Sequence, residues 1–275
     1  MLFLLLAILS SSVLAVVLKY LNTENTFGVY FINYCTCTVL AFLFLEPKSL
    51  WNGDFFPIGL GAVSGALYLA ALIAYGYSIR KSGAVLSSVF SRLGVLVPIL
   101  LSVAFFGEQP SALQIAGLAL AVLATVVMNL RPGAERARNF SVVPLLLVLL
   151  LNGSSDSMSK VFAQGGSRGD DGLFVFYIFL FASLFTLLPL LHSRRRLEKK
   201  DVLFGVAVGI PNFMASRFLL AALTDLPAFL VYPTYSVGAI VVISLFSFLL
   251  FREKLNRLQL AGVALILAAL VLLNL

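Results

Sequence analysis

The sequence predicts an all-α membrane protein: ten transmembrane helices in two inverted five-helix repeats. Three observations carry this: an apolar composition, ten apolar stretches of membrane-spanning length, and one short phrase written twice. Of the 275 residues, 61% are hydrophobic and 11% are charged. Soluble domains carry about 45–50% apolar and about 25% charged residues. The mean hydropathy is +1.04. In a soluble protein the net charge of +7 would suggest a nucleic-acid partner. Here the basic residues fall in short gaps between apolar stretches, where they mark topology, and no nucleic acid is expected.

A helix needs roughly 20 mostly apolar residues to cross a bilayer. Ten stretches meet that length: residues 2–20, 27–45, 55–78, 83–106, 111–130, 142–163, 172–191, 201–223, 227–250 and 257–274. Runs this long exclude a β-barrel. The first stretch lacks the basic start of a signal peptide and stays apolar to Leu18, so it reads as an uncleaved span. The second holds Cys35 and Cys37, whose spacing suits no disulfide within a helix; they read as small apolar fillers. The third and eighth carry Gly61-x-x-x-Gly65 and Gly205-x-x-x-Gly209, small residues that let helices approach closely in lipid. The longest gap, RPGAERARNF, falls near the midpoint of the chain.

That gap separates two similar halves, residues 1–135 and 136–275. GEQPSALQIAG opens the fifth span and REKLNRLQLAG opens the tenth, in the same frame 145 positions apart. Residues 106–130 and 251–275, aligned without gaps, share 12 of 25 positions. Five spans per half is an odd number, so the second half is expected upside down relative to the first, as in many secondary transporters. Loops after the odd-numbered spans carry 14 Lys and Arg, whereas the other side carries only Lys48 and Arg168. The positive-inside rule places the first group in the cytoplasm and both termini outside. The repeated phrase is then one corner on opposite membrane faces, basic only on the cytoplasmic side.

The ten spans, the two halves and the corner Glu-x-x-x-x-Leu-Gln-x-x-Gly resemble the drug/metabolite transporter superfamily, in particular its EamA-type ten-span transporters. The residues that carry the resemblance are Glu108, Leu113, Gln114 and Gly117, and Glu253, Leu258, Gln259 and Gly262. The resemblance implies transport of a small molecule such as an amino acid, another metabolite, a drug or a nucleotide sugar. It also implies a multi-pass protein, most simply of a bacterial plasma (inner) membrane. Two features depart from the pattern. The charge count puts the termini outside, and the first span lacks the embedded Glu of the small multidrug-resistance relatives.

Four charges stand inside the spans: Arg92, Asp156, Lys160 and Arg217. Ionisable groups in the hydrocarbon region are costly and mark substrate or ion paths by default. Arg92 and Arg217 lie well inside their spans and are expected to reach one cavity from opposite halves. Asp156 and Lys160 are four apart on one helix and can pair, and Asn152 extends that stripe. The pairing would hold Asp156 ionised and make it a poor proton carrier. Tyr232, Thr234 and Tyr235 of YPTYS are expected to clasp a small amphipathic ligand, with Ser87, Ser88 and Ser91 in the matching region of the first half. No Cys/His cluster has metal-ligand spacing, and the lone His192 belongs to a basic loop. No cofactor, metal site or catalytic constellation is therefore expected.

The sequence reading is a secondary transporter of a small organic solute, most simply an exporter, working by alternating access around a midplane cavity. Three basic charges against one acidic charge favour an anionic or zwitterionic cargo such as an amino acid or organic acid, with a proton or counter-substrate as coupling partner. The alternatives are a drug exporter of the same superfamily, a channel, and a membrane-embedded enzyme or lipid-handling protein.

Overall fold

The computed structural model describes residues 1–19, 25–45, 54–82, 84–129, 142–167, 169–193, 195–251 and 257–273. The basic residues of the midpoint gap, Lys48, Arg168, Arg194, Arg252, Glu253 and Lys254 lie outside the described residues. Among those described the chain is helical, with no strand: α1 Leu2–Lys19, α2 Thr26–Leu43, α3 Phe56–Ser82, α4 Ala84–Leu93, α5 Leu96–Phe105, α6 Ala112–Asn129, α7 Val142–Gly165, α8 Asp171–Ser193, α9 Lys199–Asp225, α10 Ala228–Phe251 and α11 Arg257–Leu273. In lipid every backbone polar group needs an internal partner, and helices supply it within each segment. Six segments are long and apolar enough to cross a membrane: Thr26–Leu43, Phe56–Ser82, Leu86–Phe105, Val142–Gly165, Asp171–Ser193 and Lys199–Asp225. The remaining four apolar helices have shorter apolar cores.

The fourth apolar stretch, expected as one helix, is broken. α4 ends at Leu93 and α5 starts at Leu96, with Gly94 and Val95 between them. The Gly94 N–H bonds to the carbonyls of Phe90 and Ser91, and the Gly94 carbonyl accepts from Val97 N–H. The reason for the glycine lies across the crossing. A Cβ at Gly94 would stand 3.0 Å from the Gly153 nitrogen and from the Leu149 carbonyl of α7.

The helices gather into two compact units, each drawing on both halves of the sequence: Met1–Leu69 with Val161–Thr224, and Ala70–Lys160 with Asp225–Leu275. In the first unit α2 packs along α8. The two Gly-x-x-x-Gly motifs work here. A Cβ at Gly61 would stand 2.5 Å from Tyr177 Cβ, and one at Gly65 2.7 Å from the Ala182 nitrogen, both on α8. Gly205 and Gly209 meet Ile32 and Thr36 of α2 in the same way, at 2.5 and 2.6 Å. Thus α3 leans on α8 through one motif and α9 leans on α2 through its counterpart. Tyr34 stacks on Tyr68 and Phe179 between them.

In the second unit α6 runs along α11, with Gly117 against Ala269, Leu272 and Leu273. Ala121, Ala124, Val237, Ile240, Ile266 and Ala269 form the apolar core of α6, α10 and α11. The first copy of the corner motif, at residues 107–117, resolves into three separate tasks. Ser111 and Gln114 form a capping box at the start of α6: Ser111 N–H donates to Gln114 Oε1 at 2.8 Å, and Gln114 N–H donates to Ser111 Oγ at 3.2 Å. Gly117 permits the α6–α11 approach. Glu108 does something the sequence reading did not anticipate, and it belongs to the site.

Candidate functional site

Gly107 has φ +68°, a left-handed conformation that glycine adopts without strain. The turn it makes returns the Glu108 N–H to the Ser102 carbonyl at 3.3 Å and directs the carboxylate to the N-terminus of α10. There it accepts the free N–H groups of Ala228 and Phe229 at 2.9 and 3.3 Å. These are orphan donors of a helix start, and a carboxylate satisfies both them and the positive end of the helix dipole. Glu108 therefore caps α10 rather than α6, the helix that follows it in the chain. Lys160 Nζ lies 2.8 Å from Glu108 Oε1, and the two side chains are 2% and 10% exposed.

This contact corrects the expected Asp156–Lys160 pair. Spacing of four residues permits it, but the lysine turns to the carboxylate that α10 and the α5–α6 turn hold in place. Among the described residues Asp156 has no ion pair. Asn152 is also drawn inward, its amide donating to the Val148 carbonyl of its own helix at 2.9 Å. Tyr232 is 1% exposed and donates its hydroxyl to the Asp156 carbonyl oxygen at 2.5 Å. It ties α10 to α7, where a ligand clasp had been expected. The Thr234 and Ser155 hydroxyls are each buried without a hydrogen-bond partner among the described residues. Tyr235 and Ser88 are partly exposed, and the Ser87 hydroxyl lies 2.7 Å from that of Ser78.

Arg92 lies in the last turn of α4, where a cation meets the negative end of the helix dipole. It lines a crevice with Leu118, Thr125, Pro233 and Ser236 of about 10 Å³. That is room for about one water. Arg217 stands in the other unit, on α9, and lines a cavity of about 220 Å³ with Phe3, Asp171, Val175, Phe213 and Phe218. Its guanidinium lies 5.3 Å from the centroid of Phe44, and Phe44 stacks on Phe213 at 5.8 Å. Asp171 is the first residue of α8, so the long Arg217 side chain delivers its charge toward that helix end, and the residue is exposed. A cation, a carboxylate and a ring of phenylalanines therefore face one space.

A polar cluster in the first unit escaped the sequence reading. Asn33 is 2% exposed and accepts from Asn212 Nδ2 at 3.1 Å, beside Pro211 within α9. Cys37, expected as a filler, donates its thiol to the Gly209 carbonyl at 3.2 Å. At the start of α9 the buried Asp201 accepts from Glu198 N–H at 3.0 Å and from Asn25 Nδ2 at 3.4 Å. An uninterrupted apolar run with single Asn residues gave no spacing from which to pair groups so far apart in the chain.

Fold and site together define a multi-pass, all-helical integral membrane protein with charged groups set among apolar helices. The profile of the EamA-like transporter family matches the chain twice, over residues 1–130 and 142–275. The chain belongs to that family, and so to the drug/metabolite transporter superfamily, whose members act in a membrane on small-molecule substrates. A Haemophilus influenzae protein described only as uncharacterized is 27% identical over 281 residues, covering 97% of this chain and 95% of its own. A solved crystal structure shares the fold with a TM-score of 0.78 at 16% identity, over 98% of this chain and 94% of that one.

Proposed function

We propose that the protein is a secondary transporter of a small solute bearing a carboxylate, an amino acid or organic acid, and that it works by alternating access, most simply as an exporter in a bacterial inner membrane. Family membership supports transport. The observation that carries the cargo class is the 220 Å³ cavity that sets Arg217 beside Asp171 within a phenylalanine wall. A planar guanidinium offers a fork of donors matched to a carboxylate, Asp171 suits an ammonium group, and the rings suit an apolar side chain. The count of free intramembrane charge also changes, because Glu108 neutralises Lys160. At the cavity itself one cation, Arg217, faces one carboxylate, Asp171, and a zwitterion fits that balance better than a plain anion.

The reciprocal packing of α3 on α8 and α9 on α2 supports two repeats of five spans, with the second inverted. The basic loops support a cytoplasmic position for residues 194–200.

Arg217→Lys tests the cargo reading. Lysine keeps the charge and loses the fork, so the variant should fold as the wild type. It should bind a carboxylate solute more weakly, by about 1.5–3 kcal/mol, the range of a charge-assisted hydrogen bond. A thermal-shift titration with L-amino acids and organic acids reads both. A ligand-induced shift equal to the wild type's would remove Arg217 from the site.

A further inference from the structure

Asp156 stands in the interior of α7, a 24-residue helix long and apolar enough to cross the membrane. The cation one turn along, Lys160, is taken by Glu108, which is itself held by two α10 N–H groups. The Tyr232 hydroxyl reaches the main-chain oxygen of Asp156 and leaves the carboxylate alone. The titratable groups on the elements that meet α7 here, within the same unit, are Arg92 on α4, Glu108 after α5, and Tyr232 and Tyr235 on α10, with Tyr75 of α3 near Arg92. Lys160 shares the helix. Among the described residues none of the basic groups forms an ion pair with Asp156.

Asp156 is partly exposed, whereas Gly153, Ser155, Ser157 and Lys160 around it are buried. A carboxylate with no counter-ion in an apolar span loses its charge by taking up a proton.

We propose that Asp156 is the group that binds and releases a proton coupled to solute movement, an inference that rests on the carrier reading above. One carboxylate oxygen accepts a proton from water on one side of the membrane and becomes a neutral carboxyl. After the change of access the same O–H bond breaks toward water on the other side, and the carboxylate is restored. The Glu108–Lys160 pair is a positioning device in this account, since it keeps the ammonium from neutralising Asp156.

Infrared difference spectra of the full chain in lipid, taken between alkaline and mildly acidic buffer, should contain a protonated-carboxyl band that Asp156→Asn removes. Asp156→Glu should keep such a band at a shifted position, which covers the case in which the Asn variant folds poorly. Wild-type and Asp156→Asn spectra that superimpose would overturn the proposal. In proteoliposomes supplied with a mixture of radiolabelled L-amino acids, the wild type should accumulate label uphill under a pH gradient. Asp156→Asn should exchange label across the membrane yet lose that accumulation, and accumulation equal to the wild type's would likewise overturn the proposal. If the wild type exchanges no label, the amino-acid reading fails, and the infrared spectra still decide Asp156.

Discussion

Replacing Glu108 with alanine is expected to cost about 3–5 kcal/mol of stability, the range for breaking a buried ion pair by removing one partner. The side chain serves three donors at once: the Lys160 ammonium and the N–H groups of Ala228 and Phe229. Its loss takes from the ammonium, 2% exposed, the counter-ion that holds it in the native arrangement. The reverse deletion should be milder. In Lys160→Met the carboxylate keeps both α10 N–H groups and the helix dipole, so a compensated charge remains. The double variant Glu108→Gln/Lys160→Met should recover much of the stability lost in Glu108→Ala, because no buried charge is left and one N–H keeps an acceptor. Melting of the purified protein, read as a double-mutant cycle, gives the coupling. Glu108→Ala melting with the wild type would show that the pair contributes nothing.

The second large effect is expected at the crossing of α7 with the α4–α5 break. A Cβ at Gly153 would overlap the Gly94 carbonyl oxygen and come within 2.5 Å of Val97 Cγ2. Backbone stands in the way, so no rotamer relieves the clash. Gly153→Ala should cost at least the 1–3 kcal/mol typical of overpacking, roughly, and Gly153→Leu should give little folded protein. Gly76→Ala serves as the control, since nothing lies within 4 Å of a Cβ there. Folded yield in detergent, followed by size and thermal melting, separates the two. Equal yields for Gly153→Leu and the control would mean that the helices do not cross at this glycine.

The helices were legible because a bilayer demands long apolar runs, and the expected stretches differ from the observed helices by only a few residues at each end. The break at Gly94 was not, because Leu93, Val95 and Leu96 continue the apolar run and one glycine within it is ambiguous. The Gly-x-x-x-Gly motifs announced close approach without naming the partners, which proved to be α8 and α2. Asp156 and Lys160 show the limit of local spacing. Four residues apart on one helix they can meet, yet a carboxylate 52 positions before Lys160 in the chain takes the lysine, placed by a glycine turn and by a helix N-terminus. That rearrangement also reverses the argument about Asp156. A residue set aside because its neighbour would hold it charged becomes the group with no neighbour to do so. Nothing in either segment alone pairs Asn33 with Asn212, 179 positions away.

Counterflow in proteoliposomes measures directly whether the chain carries a carboxylate-bearing solute across a membrane. Vesicles loaded with unlabelled L-amino acids or organic acids should draw in the labelled compound with saturable, trans-stimulated kinetics that empty liposomes lack. No trans-stimulated uptake across the panel, or a flux that rises without saturation as through an open pore, would contradict the account.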